Sequence, residues 1–598
     1  MSAPVAASGH IDDGYRQLSW LDYAVFAFSL SLSVGTGVYH AIKSRLIVRG
    51  RGGPSAKDEY LIGGRKMPAL PVALSLLTTF LSGILMLGVP AEVFQRGPQV
   101  WLNFAIGVSS SIFTAIIFLP IFHKMQSTCL HEYFIHRYRS VLIRRLFSGL
   151  FFLMTVVYMS VVIYAPAVAL SAVFGVSKWH LILIFGSCTT LYTCIGGLKA
   201  VVWTDSLQAC LMYGGVSALI YKGLNHPRVG GLDRVLRIAS ESGRLGEMWR
   251  WDVGIAQYNS IWINLISGTI TWLAAFGVNQ LAIQRYVSLP DLKTAQGIIY
   301  YTLLPFFVLC SIVAFVGLLV LAYFHECNPL ETGQIAETDH ITILFARDVL
   351  QPTPGLFGLY VSCIMSATLS TLSSGMNSMA AAIYEDFLKQ KLDGKITDTQ
   401  ATQINKLIVV LCGLLSTILA FAAEPLGGIL RVCISVMGAM SGPMVAIFVL
   451  AIFFPASGVL SCGISFVLSN LAMAVICLSN YLEDPYKDLF LHTNTSVTGC
   501  TGQIPDPRGF TIRQSPAFDA HYGDPNTLWI SRISTYGYSL VGFVLMLAIA
   551  IPLTYILKEK ELKNTRHLTW PGRNDPTPAS EHELDHFLKE IPSTSTLN

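Results

Sequence analysis

The sequence predicts an all-α integral membrane protein with about thirteen transmembrane helices. Of its 598 residues, 53% are hydrophobic and only 13% are charged. A soluble protein needs more polar surface than this to cover so much apolar mass. Apolar stretches also recur along the chain, each close to the roughly 20 residues that a spanning helix requires. We therefore expect one membrane domain and no separate soluble domain.

Thirteen apolar stretches are separated by polar loops that contain glycine or proline. They lie near 19–41, 68–92, 102–123, 147–173, 178–196, 202–222, 259–282, 298–324, 342–386, 404–423, 425–454, 457–480 and 532–557. No basic n-region and no small-residue cleavage site precedes the first stretch, so it is expected to be a retained anchor rather than a signal peptide.

The loops that carry most lysine and arginine predict the orientation. These residues are Lys43, Arg45, Arg49, Arg51, Lys57, Arg65 and Lys66 after the first span, Lys124, Arg137, Arg139, Arg144 and Arg145 after the third, and Lys558, Lys560 and Lys563 after the last. Basic loops stay in the cytoplasm. We therefore predict an extracellular N-terminus at 1–18, a transmembrane domain at 19–557 with a long extracellular loop at 481–531, and a cytoplasmic tail at 558–598.

Two features of the predicted outer loops agree with this orientation. The sequon at Asn494 lies in the 481–531 loop, where it can be glycosylated. Cys327 and Cys500 lie in two different outer loops, and the oxidising exterior allows them to form a disulfide. Two free thiols are the alternative, because the sequence does not show how far apart these cysteines are.

Two spans contain interruptions that simple membrane anchors lack. The second span has Ser82-Gly83 in its middle and Gly88-Val89-Pro90 behind it, and the seventh has Ser267-Gly268 and Gly277. Broken helices at matching positions of two halves indicate a transporter site at the bilayer midplane. The two spans lie five spans apart, as two five-helix inverted repeats require. Close helix packing through glycine is the alternative explanation.

The ninth span carries an unusual row of small polar side chains. On a helical wheel, one face of about 100° collects Ser366, Ser370, Ser373, Ser374 and Asn377, with Thr371 at its border and Thr368 on the far side. Such groups often bond to the preceding turn or hold helices together. The alternative is a cation site. Sodium is a hard monovalent ion that suits hydroxyl oxygens and the free carbonyls of a broken helix, without the cost of buried carboxylates.

Six ordered motifs carry a resemblance to a known family. They are "YLIGGRKMPALPVALSL", "LGVPAEVF", "VVIYAPAVAL", "GGLKAVVWTDSLQ", "FGVNQLAIQRY" and "ATLSTLSSGMNSMAA" followed by "YEDF". Together they resemble the sodium/solute symporter family, in the branch of the sodium-coupled monocarboxylate, sodium/iodide and multivitamin transporters. The resemblance covers residues 18 to 480 and, more loosely, the last span. It implies a LeuT-like core of five plus five inverted-repeat helices.

The resemblance also implies a sodium site between the second and ninth spans. Thr78, Leu81 and Ala367 match backbone carbonyl ligands of the family, and Ser370 and Thr371 match hydroxyl ligands. A second sodium or coupling site would involve Ser82, Tyr158 and Asp205, although Leu85 replaces the glutamine that the iodide transporter uses there. Asp205 can also be a helix N-cap. The positions that match the substrate pocket are Leu85, Val89, Asn103, Trp272 and Ile434, and ordinary packing is their alternative role.

Other classes of membrane protein fit the sequence less well. A channel would need a filter motif or a charged ring, and an embedded enzyme would need a convergent catalytic cluster. His123, His131, Glu132 and His136 are interpreted as solvated residues of the basic loop after the third span. No arginine stands among the pocket positions.

We therefore predict a plasma-membrane symporter, not an enzyme, that binds sodium as its only metal and needs no cofactor. It is expected to import a small organic anion, most simply a monocarboxylate, by alternating access. A multivitamin (biotin or pantothenate) or iodide transporter is the alternative, and a sodium-gated sensor or channel-like protein is the alternative outside transport. The expected partners are sodium, the anion and the lipid bilayer, without nucleic acid.

Overall fold

The computed structural model describes a protein built from α-helices. The described residues are 18–49, 55–125, 127–330, 332, 334–335, 338–392, 394–423, 429–487, 489, 519–559, 565 and 568–570. No β-strand occurs within these ranges.

Ten helices make up the amino-terminal part of the fold. They are α1 (Trp20–Arg49), α2 (Ala56–Ile62), α3 (Ala69–Phe80), α4 (Gly83–Arg96), α5 (Gln99–Gly107), α6 (Ser110–Phe113), α7 (Leu119–Lys124), α8 (Glu132–Tyr138), α9 (Val141–Phe174) and α10 (Lys178–Leu224). A π-helical turn at Thr114–Phe118 joins α6 to α7. The third predicted span is therefore one continuous crossing from Gln99 to Lys124.

Thirteen more helices follow. They are α11 (Gly231–Glu241), α12 (Arg244–Glu247), α13 (Ile261–Ile263), α14 (Thr269–Gly277), α15 (Gln280–Val287), α16 (Leu292–Tyr323), α17 (Ile341–Leu350), α18 (Leu356–Ile383), α19 (Lys389–Leu392), α20 (Asp398–Phe421), α21 (Ile429–Phe453), α22 (Val459–Glu483) and α23 (Tyr538–Leu557). A π-helical turn at Asn264–Gly268 joins α13 to α14.

Polar cap residues set where several of the long spans begin. Ser140 accepts a hydrogen bond from the backbone of Ile143 at the start of α9, and Asp291 caps α16 in the same way. Thr397 forms a capping box with Gln400 at the start of α20. These side chains satisfy N–H groups that the first turn of a helix leaves without a partner.

The number of spans agrees with the sequence once the breaks are counted. Within the described residues, ten helices are long and apolar enough to cross a membrane, and two bent helix pairs raise the number to twelve. One of the ten, α10, has 47 residues and is about 70 Å long if straight, more than twice the bilayer core.

The backbone of α10 breaks at Gly197, which has φ 62° and ψ −162°. Thr190, before the break, contacts Met376 of α18. Asp205, after the break, binds Arg285, which also donates a hydrogen bond to Ser374, only two residues from Met376. The two halves therefore lie side by side, and α10 contributes two spans. Within the described residues, thirteen candidate spans result, as the sequence predicts.

In each of the two spans, one of the two predicted interruptions is a break and the other is not. The second span bends by 53° between α3 and α4, at Leu81 and Ser82, while Gly88 and Pro90 remain inside α4. The seventh span bends by 46° between α14 and α15, just after Gly277. Ser267-Gly268 does not break the chain, because the π-helical turn carries the helix through these residues.

The ninth predicted span, 342–386, is not a single helix. It separates into α17 and α18 at Gly355, whose φ of 88° favours glycine. The carboxylate of Asp22, on α1, accepts hydrogen bonds from the backbone N–H groups of Gly355 and Gly358, at 3.0 and 2.9 Å. A residue more than 300 positions away thus caps α18, which the local sequence does not reveal.

The two bent spans meet where each of them bends. The rings of Phe80, at the end of α3, and Phe276, near the end of α14, lie 5.0 Å apart. Next to them, α18 is the central helix of the protein, because 89% of its most apolar stretch is buried. The candidate site lies where these three spans come together.

Candidate functional site

The hydroxyls of Ser370 and Thr371 lie against the carbonyl end of α3. Ser370 Oγ donates to the carbonyl oxygens of Thr78 and Ala367, at 2.9 and 3.1 Å. Thr371 Oγ1 donates to the carbonyls of Thr79 and Ala367, at 3.3 and 3.1 Å. Both side chains are fully buried. Four of the five predicted sodium-site residues, all except Leu81, are therefore joined by direct contacts.

Leu81, the fifth predicted residue, lies in the bend between α3 and α4. Its φ of −102° and ψ of 89° are not helical, which takes its carbonyl out of the regular hydrogen-bond ladder. A carbonyl freed in this way is available to a ligand. Hydroxyls, carbonyls and a helix break thus form a small neutral oxygen cluster, the arrangement that suits a hard monovalent cation.

The rest of the polar face of α18 is divided among different neighbours. Ser374 contacts Thr79 at 3.1 Å, and Ser378 donates to Gln284 on α15 at 2.9 Å. The side-chain amide of Asn377 is buried and has no hydrogen-bond partner among the described residues. Thr368 is also buried, and a side chain at Gly83 would collide with its hydroxyl. Thr368 thus packs against the start of α4 and does not face lipid.

Asp205 lies about two helical turns from the bend, beside α3. Its carboxylate accepts hydrogen bonds from Ser75 Oγ at 2.6 Å and from the guanidinium of Arg285 at 3.3 Å. Arg285 also donates to Ser75 Oγ at 2.9 Å and contacts Ser374. Both members of this ion pair are fully buried. Asp205 lies within α10 rather than at the start of a helix, so it is not an N-cap.

Arg285 is a site residue that sequence reasoning missed. The seventh span was predicted to end at residue 282, whereas α15 extends to Val287 and keeps Arg285 inside the protein. Asp205 was the available signal, because a carboxylate buried among apolar spans needs a basic partner.

The three residues of the predicted second coupling site fall into two groups. The side chains of Tyr158 on α9 and Ser82 at the bend lie close enough to interact. Asp205 instead contacts Ser75, which lies seven residues before Ser82, or about 10 Å along a helix. In this structure, Ser82 and Tyr158 form one pair and Asp205 and Arg285 form another.

The predicted pocket residues belong to four helices, α4, α5, α14 and α21. Asn103 Oδ1 accepts a hydrogen bond from Trp272 Nε1 at 3.1 Å, and the Trp272 ring packs against Phe104 and Phe306. Gly88 of α4 allows Leu430 of α21 to approach closely. Ile434 follows Leu430 by one turn. Leu85 lies three residues before Gly88, and Val89 directly follows it.

The amino end of α4 lies at the bend, where Gly83 closely approaches Thr368 and Pro166. Its N-cap residue, Ser82, makes no side-chain hydrogen bond to the first turn of the helix. Helix amino ends carry a partial positive charge and attract anions. The helix α4 has 14 residues, long enough to have such a dipole. The bend therefore brings together a neutral oxygen cluster and the amino end of a helix.

The histidine-containing loop after the third span is not solvated as predicted. His131 is fully buried, and its Nδ1 lies 2.6 Å from the Asp386 carboxylate. Arg144 Nε donates to the same carboxylate at 2.5 Å. Burial raises the pKa of Glu132, which lies within 4 Å of Arg144 and Lys389. His123 and His136 are half-buried.

Cys129 lies next to His131 and Asp386, and together these three could offer ligands to a metal. The carboxylate is already bound by His131 and Arg144, so we interpret the group as an ion-pair network. It ties α8 and α9 to the end of the helix that carries Ser370. Sequence reasoning missed it because it joins residues more than 240 positions apart.

The predicted outer features are only partly within the described residues. Cys327 is disulfide-bonded. Its predicted partner, Cys500, and the glycosylation site, Asn494, lie outside the described residues, so both assignments stay predictions.

The amino-acid sequence matches a known family over most of its length. Residues 60–464 match the profile of the sodium:solute symporter family. The chain is 36% identical to mouse (Mus musculus) sodium-coupled monocarboxylate transporter 2 over 434 residues, which cover 73% of this chain and 68% of the relative. It is 30% identical to human (Homo sapiens) sodium-coupled monocarboxylate transporter 1, over 88% of this chain and 87% of the relative. It is 35% identical to rabbit (Oryctolagus cuniculus) sodium-dependent multivitamin transporter, over 76% of this chain and 70% of the relative.

Solved structures confirm the predicted fold. A sodium-coupled sialic acid symporter in a substrate-bound, outward-open state superimposes with a TM-score of 0.71 at 20% identity, covering 91% of this chain and 100% of that one. A nucleobase-cation-symport-1 family transporter gives a TM-score of 0.51 at 11% identity, covering 86% of this chain and 97% of that one. The core is the LeuT-like fold of five plus five helices, and the chain belongs to the sodium:solute symporter family.

Proposed function

We propose that this protein is a plasma-membrane symporter that uses the sodium gradient to import a small monocarboxylate by alternating access. The observation that carries the proposal is the buried cluster of Ser370, Thr371, Thr78 and Ala367 beside the Leu81 bend. Relatives named as sodium-coupled monocarboxylate transporters support the substrate class.

The oxygen cluster suits sodium better than a divalent ion. Its members are hydroxyl and carbonyl oxygens without formal charge, and they lie between two helices rather than within one. A sodium ion between them would replace the direct contacts of Ser370 and Thr371 with the α3 carbonyls. Binding would therefore tie α3 to α18, and loss of sodium would allow the two helices to separate. Such a link between ion binding and helix position is what coupling requires.

The amino end of α4 is the proposed partner of the substrate carboxylate. Arg285 does not serve this role, because it is held by Asp205 and Ser75. The first turn of α4 offers N–H groups and a favourable dipole without a net charge. Leu85, Val89 and Trp272 would then contact the apolar part of a short-chain acid. This arrangement selects a small anion with an apolar tail.

The orientation is part of the proposal. We place the N-terminus (1–18) and the 481–531 loop outside and the tail (558–598) inside. The disulfide bond of Cys327 supports an oxidising exterior for its loop. Inward movement of one sodium charge across 100 mV then contributes about 2.3 kcal/mol to uptake.

Radiolabelled uptake with and without sodium tests the proposal. We expect sodium-dependent uptake of lactate, butyrate or nicotinate in cells that express the protein. The multivitamin relative makes biotin and pantothenate the second candidates, and iodide completes the screen. Uptake of all six compounds that does not change on removing sodium would contradict the proposal. A sodium-dependent current without uptake would instead identify a sensor.

A further inference from the structure

A long groove runs along the outside of the core between α9, α21 and α22. Its volume is about 850 Å³, which lies within the range of sites for drug-sized ligands. Leu153, Leu471 and Leu478 line it and are 52%, 59% and 57% exposed. All three helices are candidate membrane spans. The groove therefore opens sideways into the bilayer and can be filled from it.

One end of the groove carries a cation, an anion and an aromatic ring. Arg431 donates a hydrogen bond to the carboxylate of Asp484. It also donates to two oxygens of Asn480, the side-chain Oδ1 at 3.0 Å and the backbone carbonyl at 3.4 Å. A guanidinium has five N–H groups, so these three contacts leave donors for a ligand. The side chains of Arg431 and Asp484 are 25% and 43% exposed, and ion pairs this exposed are weak. Tyr481 lines the same end.

The rest of the groove is long and apolar. It follows α22 from Phe466 to Asp484, a rise of about 27 Å. Asp484 directly follows the last residue of α22, so the charged end lies where this span ends. An occupant needs a polar head at the helix end and a long, narrow apolar tail.

We propose that this groove binds one choline phospholipid from the surrounding leaflet. Its phosphate accepts hydrogen bonds from Arg431, and its quaternary ammonium lies between the Asp484 carboxylate and the Tyr481 ring. One acyl chain lies along the groove over Ala474. An anionic phospholipid fits less well, because its phosphate can meet Arg431 but its head group brings no cation to Asp484. A sterol carries neither a phosphate for Arg431 nor a cation for Asp484.

The groove is linked to the bend in the core through two layers of side chains. Val432 and Val436 line the groove on one side, and on the other they line a small cavity that contains Tyr158. Tyr158 in turn neighbours Ser82 at the bend. A bound lipid therefore supports the packing of α21 beside the proposed substrate region. This last consequence rests on the proposed function, whereas lipid binding does not.

Lipid titration of the purified, full-length protein in detergent tests the proposal. The probes are dioleoylphosphatidylcholine, dioleoylphosphatidylglycerol and cholesterol, and the measurements are thermal unfolding and lipid count by native mass spectrometry. We expect the choline lipid to raise the unfolding temperature with one molecule bound, at about tenfold lower concentration than the glycerol lipid. Equal effects of the two phospholipids, an effect of cholesterol alone, or no effect would each overturn the proposal.

Two variants locate the binding. Asp484→Lys should reverse the preference, so that the anionic lipid binds more tightly than the choline lipid. Ala474→Trp should fill the groove and abolish the effect, while Leu468→Trp, a matched change at an exposed position of α22 that does not line the groove, should leave it intact. If Ala474→Trp and Leu468→Trp behave alike, the lipid binds elsewhere. Because these assays measure binding alone, their failure would leave the transport proposal unaffected.

Discussion

Replacing Ser370 or Thr371 with alanine separates a sodium site from simple helix packing. Each substitution removes one hydroxyl from a fully buried position. If the hydroxyls are sodium ligands, each supplies one of about five oxygens around the ion, and a closed site has no water to replace it. If they only hold α18 against α3, the lost contact is an ordinary hydrogen bond between membrane helices.

The two explanations predict effects of different size. A hydrogen bond between membrane helices contributes about 0.6 kcal/mol on average and about 1.7 kcal/mol at most, which would change the half-activating sodium concentration by about threefold and about 18-fold. A contact between a hydroxyl and a charged group is comparable to a charged hydrogen bond of about 1.5 to 3 kcal/mol, which corresponds to about 10- to 150-fold. A shift above about twentyfold therefore indicates ligation.

The assay is uptake as a function of sodium concentration at matched surface expression. Ser362→Ala is the matched control, because Ser362 lies on the same helix, is fully buried and bonds to Ser29 at 2.8 Å, away from the oxygen cluster. Thr368 is unsuitable, since it packs against Gly83 beside the bend. If both Ser370→Ala and Thr371→Ala keep a half-activating concentration within threefold of the control, these residues do not bind sodium.

Three further predictions concern the ion pair and the outer loops. Arg285→Ala should lower the free energy of unfolding by about 3 to 5 kcal/mol, because it leaves Asp205 charged and without a basic partner. Adding Asp205→Ala should restore part of this stability in a thermal unfolding assay, and a double variant no more stable than the single one would argue against the pairing. Non-reduced peptide mapping should find Cys327 linked to Cys500, and two free thiols would refute this. Glycosidase treatment should lower the apparent mass of wild type but not of Asn494→Gln, and a C-terminal tag accessible from outside intact cells would reverse the orientation.

The location of the breaks marks the limit of local sequence reasoning. Ser82-Gly83 was recognised as an interruption and α4 does begin there, but Ser267-Gly268 has the same composition and remains helical through a π-helical turn. Glycine lowers the cost of leaving a helix without requiring it. Whether the helix breaks depends on what packs against it, and this is set by residues far away in the chain.

His131 and Arg285 show the same limit for charged residues. His131 was assigned to solvent, where polar residues near the ends of spans usually lie, and Arg285 was given no role. Both are fully buried because each meets a carboxylate from another helix, Asp386 for His131 and Asp205 for Arg285. An ion pair between distant residues leaves no periodic pattern in the sequence, so it became visible only in the folded protein.

The sequence by itself determined the membrane class, the number of spans and the family, because these depend on the length and order of apolar stretches and on motifs read along the chain. It also identified the hydroxyl face of α18, since helical spacing places those residues together. Only the tertiary structure decided that Ser370 and Thr371 meet the carbonyls of α3, while Asp205 turns to Arg285. Contacts between helices depend on where each helix bends and how closely it approaches its neighbour, and neither property is written in a single segment.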